Sequence, residues 1–89
     1  MRVRIRGKVW DLRYVPTLGK KTWGDCDEPD QPKKQIRVSR EAKGVNELET
    51  LIHELFHCAY PDLREEAVEE GIADVARILW KLGWRKQWA

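Results

Sequence analysis

The hydrophobic periodicity of the chain changes near residue 45, and this change constrains the fold more than any other feature. Before it, apolar and polar residues alternate in short segments, as at Val3 and Ile5. After it, apolar residues recur every three or four positions through residues 46–60 and again through residues 62–82. Strands first and two helices afterwards indicate an α+β fold, in which a small antiparallel β-sheet is covered by an α-helical hairpin.

The strand-forming half contains four candidate strands. Residues 3–5 and 9–15 are expected to pair as a hairpin. A weaker candidate, interrupted by Gly24, covers residues 22–27. The fourth covers residues 35–39, where apolar residues share one face.

The helix-forming half divides at Pro61. We expect Asn46 and Asp62 to cap the two helices and Gly83 to end the second. The apolar stripe of each helix decides which side packs against the rest of the protein. These stripes are Leu48, Ile52, Leu55, Phe56 and Ala59 in the first helix and Leu63, Ala67, Gly71, Val75, Ile78 and Leu82 in the second.

Length and charge limit the classes of protein to which the chain can belong. Its 89 residues suffice for one domain, 1–89, with strands and loops in 1–45, helices in 46–83 and a basic, aromatic tail in 84–89. A net charge of +2 is too small to indicate a nucleic-acid partner by itself. No apolar run approaches about 20 residues and no signal-peptide core is present, so we expect a cytoplasmic protein without membrane contact.

The first helix carries the only two histidines of the chain, in the sequence His53-Glu54-Leu55-Phe56-His57. Residues four apart lie on one face of a helix, so both imidazoles can bind one metal ion. Glu54 follows the first histidine and is expected beside the metal, where a bound water needs a base. The pattern therefore predicts a zinc site with His53 and His57 as ligands and Glu54 as the catalytic residue.

A catalytic zinc takes about three protein ligands and leaves one position open. Because the chain has no third histidine, we expect the third ligand to be a carboxylate of the second helix. An antiparallel hairpin would place Glu65 and Glu69 on the side that faces the histidines. Helical side chains lean toward the N-terminus of their own helix, which favours Glu69 for a metal near the level of His53. We therefore rank Glu69 first, Glu65 second and Glu70 third.

Cys26 and Cys58 are the only cysteines. In a cytosolic chain, two cysteines are more often free thiols than a disulfide. Cys58 follows His57 directly, but one residue corresponds to about 100° around a helix, so Cys58 points away from the metal face. We expect a buried structural thiol at this position rather than a ligand.

The motif and its surroundings resemble the zincin superfamily of metallopeptidases and, within it, the gluzincins, whose third ligand is a glutamate. The resemblance rests on the five motif residues, on the apolar Leu51 and Ile52 before them and on the Glu-bearing helix after them. Residues 50–84 also look like small proteins with this motif that bacteriophages and prophages encode, and SprT-like and ImmA/IrrE-like proteins are broader relatives by pattern. The longer metzincin pattern is absent, and so is the third histidine that is usual in SprT-like proteins.

This resemblance implies a zinc-dependent hydrolase of peptide bonds, in which His53 and His57 bind zinc and Glu54 acts as general base. The substrate would be a protein or peptide whose extended chain pairs with a strand above the motif helix, formed by residues 23–27 or by residues 35–39. A phage-encoded protein of this kind would act in the cytoplasm of the host cell. Candidates for stabilising an oxyanion are several arginines, Tyr14 and Tyr60.

Two other functions compete with the peptidase. The first is a metal-stabilised binding module with weak or no hydrolytic activity, in which Cys26 or Cys58 would complete the ligand set. The second is a nucleic-acid accessory protein, because residues 84–88 (WRKQW) interleave aromatic and basic side chains. The simpler interpretation of this tail is that Trp80 and Trp84 pack against the helical hairpin and that the last tryptophan frays.

Overall fold

The computed structural model describes residues 1–19 and 22–86. Its elements are β1 Arg2–Ile5, β2 Lys8–Val15, β3 Gly24–Cys26, β4 Gln35–Ser39, α1 Val45–Ala59 and α2 Glu65–Lys81. The α+β architecture, a sheet with a helical hairpin packed against it, is thereby confirmed. Neither of these two helices is long and apolar enough to cross a membrane in the part of the chain that the structure describes.

The sheet has the strand order β1-β2-β4-β3 and is mixed. The β1–β2 and β3–β4 pairs are antiparallel, whereas β2 and β4 run parallel, with Leu12 opposite Ile36. This last pair differs from the antiparallel arrangement expected from the sequence. β4 carries the fully buried Ile36 and Val38 and takes the centre of the sheet, while the short, polar β3 lies at the edge. In sequence, β3 follows β2 and precedes β4. Because β3 is antiparallel to β4, the chain reverses twice, and β4 runs in the same direction as β2.

The side of α1 that faces the sheet differs from the predicted stripe. Glu54 and Cys58 are its most buried residues, whereas Phe56 is 39% exposed. The helix also begins earlier than expected: Gly44, with a φ of 60°, is the N-cap, and Asn46 lies inside the first turn. Glycine adopts this positive φ readily, and it leads the loop into the helix without a side-chain cap.

The buried side of α2 is formed by Val68, Ile72 and Ala76. The structure exposes all six residues of the predicted stripe, which are Leu63, Ala67, Gly71, Val75, Ile78 and Leu82. The helix begins at Glu65, with Arg64 rather than Asp62 as its N-cap. At the other end, Gly83 has a φ of 95° and the amides of Gly83 and Trp84 bond back to the carbonyls of Trp80 and Leu79. This is a Schellman motif, and it confirms Gly83 as the residue that ends the helix.

Candidate metal centre

His53 and His57 lie one helical turn apart on α1 and converge on one point. Their Nε2 atoms are 2.9 Å apart, and the rings meet edge to face with centroids 4.5 Å apart. The side chains are 19% and 21% exposed, so packing holds both rings while solvent can still reach them. The arrangement is the one that a four-residue spacing on a helix predicts.

Glu65, the first residue of α2, brings a carboxylate to both histidines. Its Oε1 is 3.2 Å from Nε2 of His53, and its Oε2 is 3.0 Å from Nε2 of His57. Ligand atoms of the three residues lie within 4.8 Å of one another, and the group could hold a metal ion. Two ligand nitrogens of a tetrahedral zinc lie about 3.3 Å apart. This is a few tenths of an ångström more than the distance between the two Nε2 atoms here. The donor set of two imidazoles and a carboxylate also suits a first-row divalent ion, so the residues fit the metal.

The structure brings Glu65, which the sequence ranked second, to the histidines instead of Glu69, which the sequence ranked first. Around α2, Glu65 lies about 20° from Ile72 at the middle of the buried side, whereas Glu69 lies about 60° away. The loop between the helices spans only residues 60–64, so the first turn of α2 is level with the last turns of α1. The ranking rested on the lean of helical side chains and on a buried stripe that the structure exposes. Neither Glu69 nor Glu70 belongs to the metal-binding group of the described residues.

Glu54 lies beneath the edge strand β3 and is 7% exposed. Removal from water raises the pKa of its carboxyl group, while the charges of His53 and His57 act in the opposite direction. A carboxylate with a raised pKa accepts a proton more readily near neutral pH. A buried carboxyl group with a raised pKa, close enough to both imidazoles to interact with their charges, is compatible with the general-base role expected from the sequence.

Gly24 of β3 lies directly against Glu54, a role that sequence analysis missed. A Cβ at this position would be 2.7 Å from Cγ2 of Thr50 and 3.0 Å from Cγ of Glu54. Only glycine therefore allows β3 to approach α1 this closely. A glycine inside a candidate strand is itself a signal of close backbone approach, so this contact could have been suspected from the sequence.

Two open cavities meet at the histidines, and four residues line both of them: Gly24, His53, Glu54 and Glu65. The larger has a volume of about 650 Å³ and extends toward Trp23 and Glu69. The smaller has a volume of about 370 Å³ and extends toward Asp27 and Pro61. A substrate could thus contact the protein on either side of the metal-binding group.

β3 lines both cavities, which meet at Gly24, and is the last strand of the sheet. β4, the other strand considered for binding an extended substrate, is paired on both sides. Of the four described strands, β3 is therefore the one that combines a free edge with a position above α1. An extended chain could add to the sheet only at an edge.

Ion pairs fix β3 on its neighbour. Nε of Arg37 is 2.6 Å from Oδ1 of Asp25, and Nη2 is 2.8 Å from Oδ1 of Asp27. The hydrogen bond from this guanidinium holds the pKa of Asp27 below its ordinary value, so the carboxylate stays charged. A strand of three residues is thereby held in place over Glu54.

Cys26 and Cys58 are free thiols that lie side by side between β3 and α1. The hydrogen bond between them lowers the pKa of Cys26 and raises that of Cys58, where burial acts in the same direction. Cys58 is 6% exposed and packs in the core with Trp10 and Ile36, which confirms a buried structural thiol. Neither cysteine belongs to the metal-binding group found among the described residues.

Neither tyrosine considered for an oxyanion lies at the cavities. Tyr60 is absent from their walls, and the guanidinium of Arg6 lies 5.3 Å from the centroid of its ring. Tyr14 lines a separate cavity at the other end of α1, where Nζ of Lys86 is 3.5 Å from its ring centroid. Within the described ranges, the walls of the two cavities contain neither a tyrosine nor an arginine, the two residue types expected to stabilise an oxyanion.

Residues 84–86 of the tail fold back on the domain. The guanidinium of Arg85 lies 3.3 Å from the ring centroid of Trp80, and Nζ of Lys86 is 3.5 Å from Oε2 of Glu47. Trp84 is 64% exposed and lines the same cavity as Trp80. Arg85 and Lys86 thus contact the domain, whereas Trp84 lacks the close packing expected of it; the remainder of the tail, including Trp88, lies outside the described residues.

No protein-family model matches the chain, and neither does any curated protein or solved structure. What the protein does must therefore be inferred from the chemistry of this site.

Proposed function

We propose that the protein is a zinc-dependent metallopeptidase, with His53, His57 and Glu65 as metal ligands and Glu54 as general base. The observation that carries this proposal is the convergence of two imidazoles and a carboxylate beside a second, buried carboxylate. A purely structural metal site has no use for the second carboxylate or for an open side. Here the three ligands open onto two cavities, which leaves room for water and for substrate.

When bound, zinc supplies Lewis acidity, which lowers the pKa of water toward about 7 and polarises a carbonyl group. Glu54 accepts a proton from the attacking water and passes it to the nitrogen of the leaving amine. The peptide bond is thus replaced by a carboxylate on one product and an amino group on the other. Burial beneath β3 holds Glu54 in one place and keeps bulk water from competing for its proton.

An extended peptide would bind along β3 and add a fifth strand to the sheet. The free edge of β3 passes above Glu54, and the two cavities follow one another along it, the larger at residues 22–24 and the smaller at residues 24–27. Residues on the two sides of the scissile bond would therefore each enter one cavity. The main-chain pairing would supply affinity with little sequence preference, and the cavity walls would supply the specificity.

Metal content and cleavage of a quenched fluorescent peptide library, measured together, test this function. Glu54→Gln is expected to keep zinc at the wild-type stoichiometry and to lower cleavage by about 10²–10⁴-fold. His53→Ala is expected to lose both, and Glu66→Gln, at an exposed position outside the cavities, is expected to change neither. Wild-type cleavage by purified Glu54→Gln would refute the general base. Stoichiometric zinc without cleavage of any library peptide would favour a metal-stabilised binding module instead.

A further inference from the structure

Carboxylates from both helices wall the larger cavity beside the metal centre. Glu49 and Glu54 of α1 and Glu65 and Glu69 of α2 line it, and no lysine or arginine does so within the described ranges. The whole sequence carries 17 basic against 15 acidic residues. The acidity of this wall is therefore local and does not follow from the overall composition.

Two of these four carboxylates are already engaged and two are not. Glu65 contacts both histidines, and Glu54 is buried beneath β3. In the described part of the chain, Glu49 and Glu69 form no ion pair and accept no side-chain hydrogen bond, unlike their neighbours Glu47 and Glu66. Both therefore have charge available for a ligand in the cavity.

Trp23 gives the same cavity an aromatic wall. The side chain is 46% exposed, although the residue directly precedes β3 and its carbonyl accepts the amide hydrogen of Ser39. An exposed indole next to carboxylates suits lysine or arginine, because the ring covers the alkyl stem and attracts the cation while the carboxylates pair with it. The free edge of β3 begins one residue later, so main chain and side chain of one extended peptide would meet adjoining surfaces.

We propose that this cleft selects extended peptides that place a lysine or arginine in the larger cavity, with the stem on Trp23 and the cation between Glu49 and Glu69. The inference rests on the peptidase function proposed above and specifies its substrate class. Exposed charges are screened beyond about 8 Å at physiological salt. The selection therefore acts on the residue inside the cavity and not on the net charge of a distant part of the substrate.

Binding is measured with zinc-loaded Glu54→Gln protein, which holds a peptide without cleaving it. Three fluorescein-labelled peptides share one extended sequence and carry lysine, glutamine or glutamate at one position. We expect the lysine peptide to bind about tenfold more tightly than the glutamine peptide, since each exposed pair contributes up to about fivefold. Adding Glu49→Gln and Glu69→Gln is expected to reduce this preference to less than about threefold.

The matched control adds Glu66→Gln and Glu70→Gln instead, which removes the same charge from positions outside the cavity. An equal loss of preference in this control would overturn the assignment to Glu49 and Glu69. Replacing both residues by lysine is the reciprocal test and is expected to transfer the preference to the glutamate peptide. Circular dichroism on every variant verifies that the fold is retained.

Turnover by the wild-type protein separates this inference from the function on which it rests. Equal cleavage rates and equal affinities for all three peptides would overturn the selection of basic side chains and leave the peptidase intact. Selective binding of the lysine peptide without cleavage of any peptide would overturn the peptidase. Faster cleavage of the lysine peptide, lost with Glu49→Gln and Glu69→Gln, supports both.

Discussion

Gly24→Ala is predicted to damage the candidate active site without changing a metal ligand. The new Cβ would lie 2.7 Å from Cγ2 of Thr50, 3.0 Å from Cγ of Glu54 and 3.2 Å from its Oε2. Carbon atoms pack at about 3.5–4.0 Å, so these contacts are too short to persist. Either β3 must lift away from α1 or Glu54 must move.

The structure sets the size of the expected effects. Overpacking of a tight contact costs about 1–3 kcal/mol in the free energy of unfolding. In a domain of this length, each kcal/mol lowers Tm by about 4–8 °C. A catalytic group displaced by about 1 Å loses on the order of 10²-fold in rate. Zinc content is expected to stay unchanged, because none of the three ligands is among the atoms that the new methyl group meets.

Two variants control for the substitution itself. Gly71 lies inside α2, and a Cβ there would have nothing within 4 Å, so Gly71→Ala is expected to raise stability by up to about 1 kcal/mol. Thr50→Ser in the Gly24→Ala protein removes the closest atom but keeps the hydroxyl that donates to the Asn46 carbonyl at 2.7 Å. This second variant is expected to regain part of the lost stability and little of the cleavage, because the contact with Glu54 remains.

Thermal denaturation, elemental analysis and cleavage of a fluorescent peptide measure the three effects separately. Wild-type stability and cleavage in Gly24→Ala would refute the close approach of β3 to α1. A loss of stability with wild-type cleavage would refute the narrower claim that β3 sets the position of Glu54.

Three further predictions concern the third ligand, the edge strand and the buried carboxylate. Glu65→Gln is expected to weaken zinc binding at least about tenfold, measured in competition with a chromogenic chelator. Glu69→Gln is expected to leave the zinc affinity unchanged, and the reverse result would make Glu69 the ligand. Arg37→Met is expected to lower the free energy of unfolding by about 1 kcal/mol near neutral pH. Because the folded pKa of Asp27 lies below its ordinary value of 3.8, this stabilisation is complete above that value and is lost as pH falls through the folded pKa. Urea titrations of the two proteins should thus converge in acid, and a constant difference would contradict the ion pair. In metal-free protein near neutral pH, Glu54→Gln is expected to raise the free energy of unfolding by about 1 kcal/mol, since an amide is less costly to bury than a carboxylate; lower stability in urea titration would contradict this.

Local features of the fold were predictable because they depend on neighbours in the sequence. The spacing of His53 and His57 brings the two rings together on any helix, and Gly83 ends α2 through its own backbone conformation. Strand order is not local in this sense. β4 lies between β2 and β3 because Ile36 and Val38 are buried by residues from distant parts of the chain, and no pattern within β4 specifies which strands become its neighbours.

Helix rotation was not predictable from hydrophobicity, and the contact of Glu65 with the histidines depends on it. α2 carries two apolar stripes with helical spacing, and its packing against α1 buries the one through Val68, Ile72 and Ala76. Rotation onto this stripe carries Glu65 to the histidines. The length of the glutamate side chain then outweighs its lean toward the interhelical loop, which was the argument for Glu69.

The rotation of α1 about its axis bears on function more directly. Hydrophobicity alone would have favoured a rotation that buries Phe56 and exposes Glu54. Turning Phe56 inward and Glu54 outward would bury an aromatic ring in place of a carboxylate, and an ionised group that leaves water without a cation beside it costs several kcal/mol. The observed rotation buries Glu54 and exposes Phe56. His53 and His57 are the groups whose charges offset part of the cost of burying this carboxylate. Carboxylates buried at such a cost are concentrated at sites that use them chemically. The burial of Glu54 under a glycine that only just admits it therefore supports the proposal that this carboxylate transfers a proton.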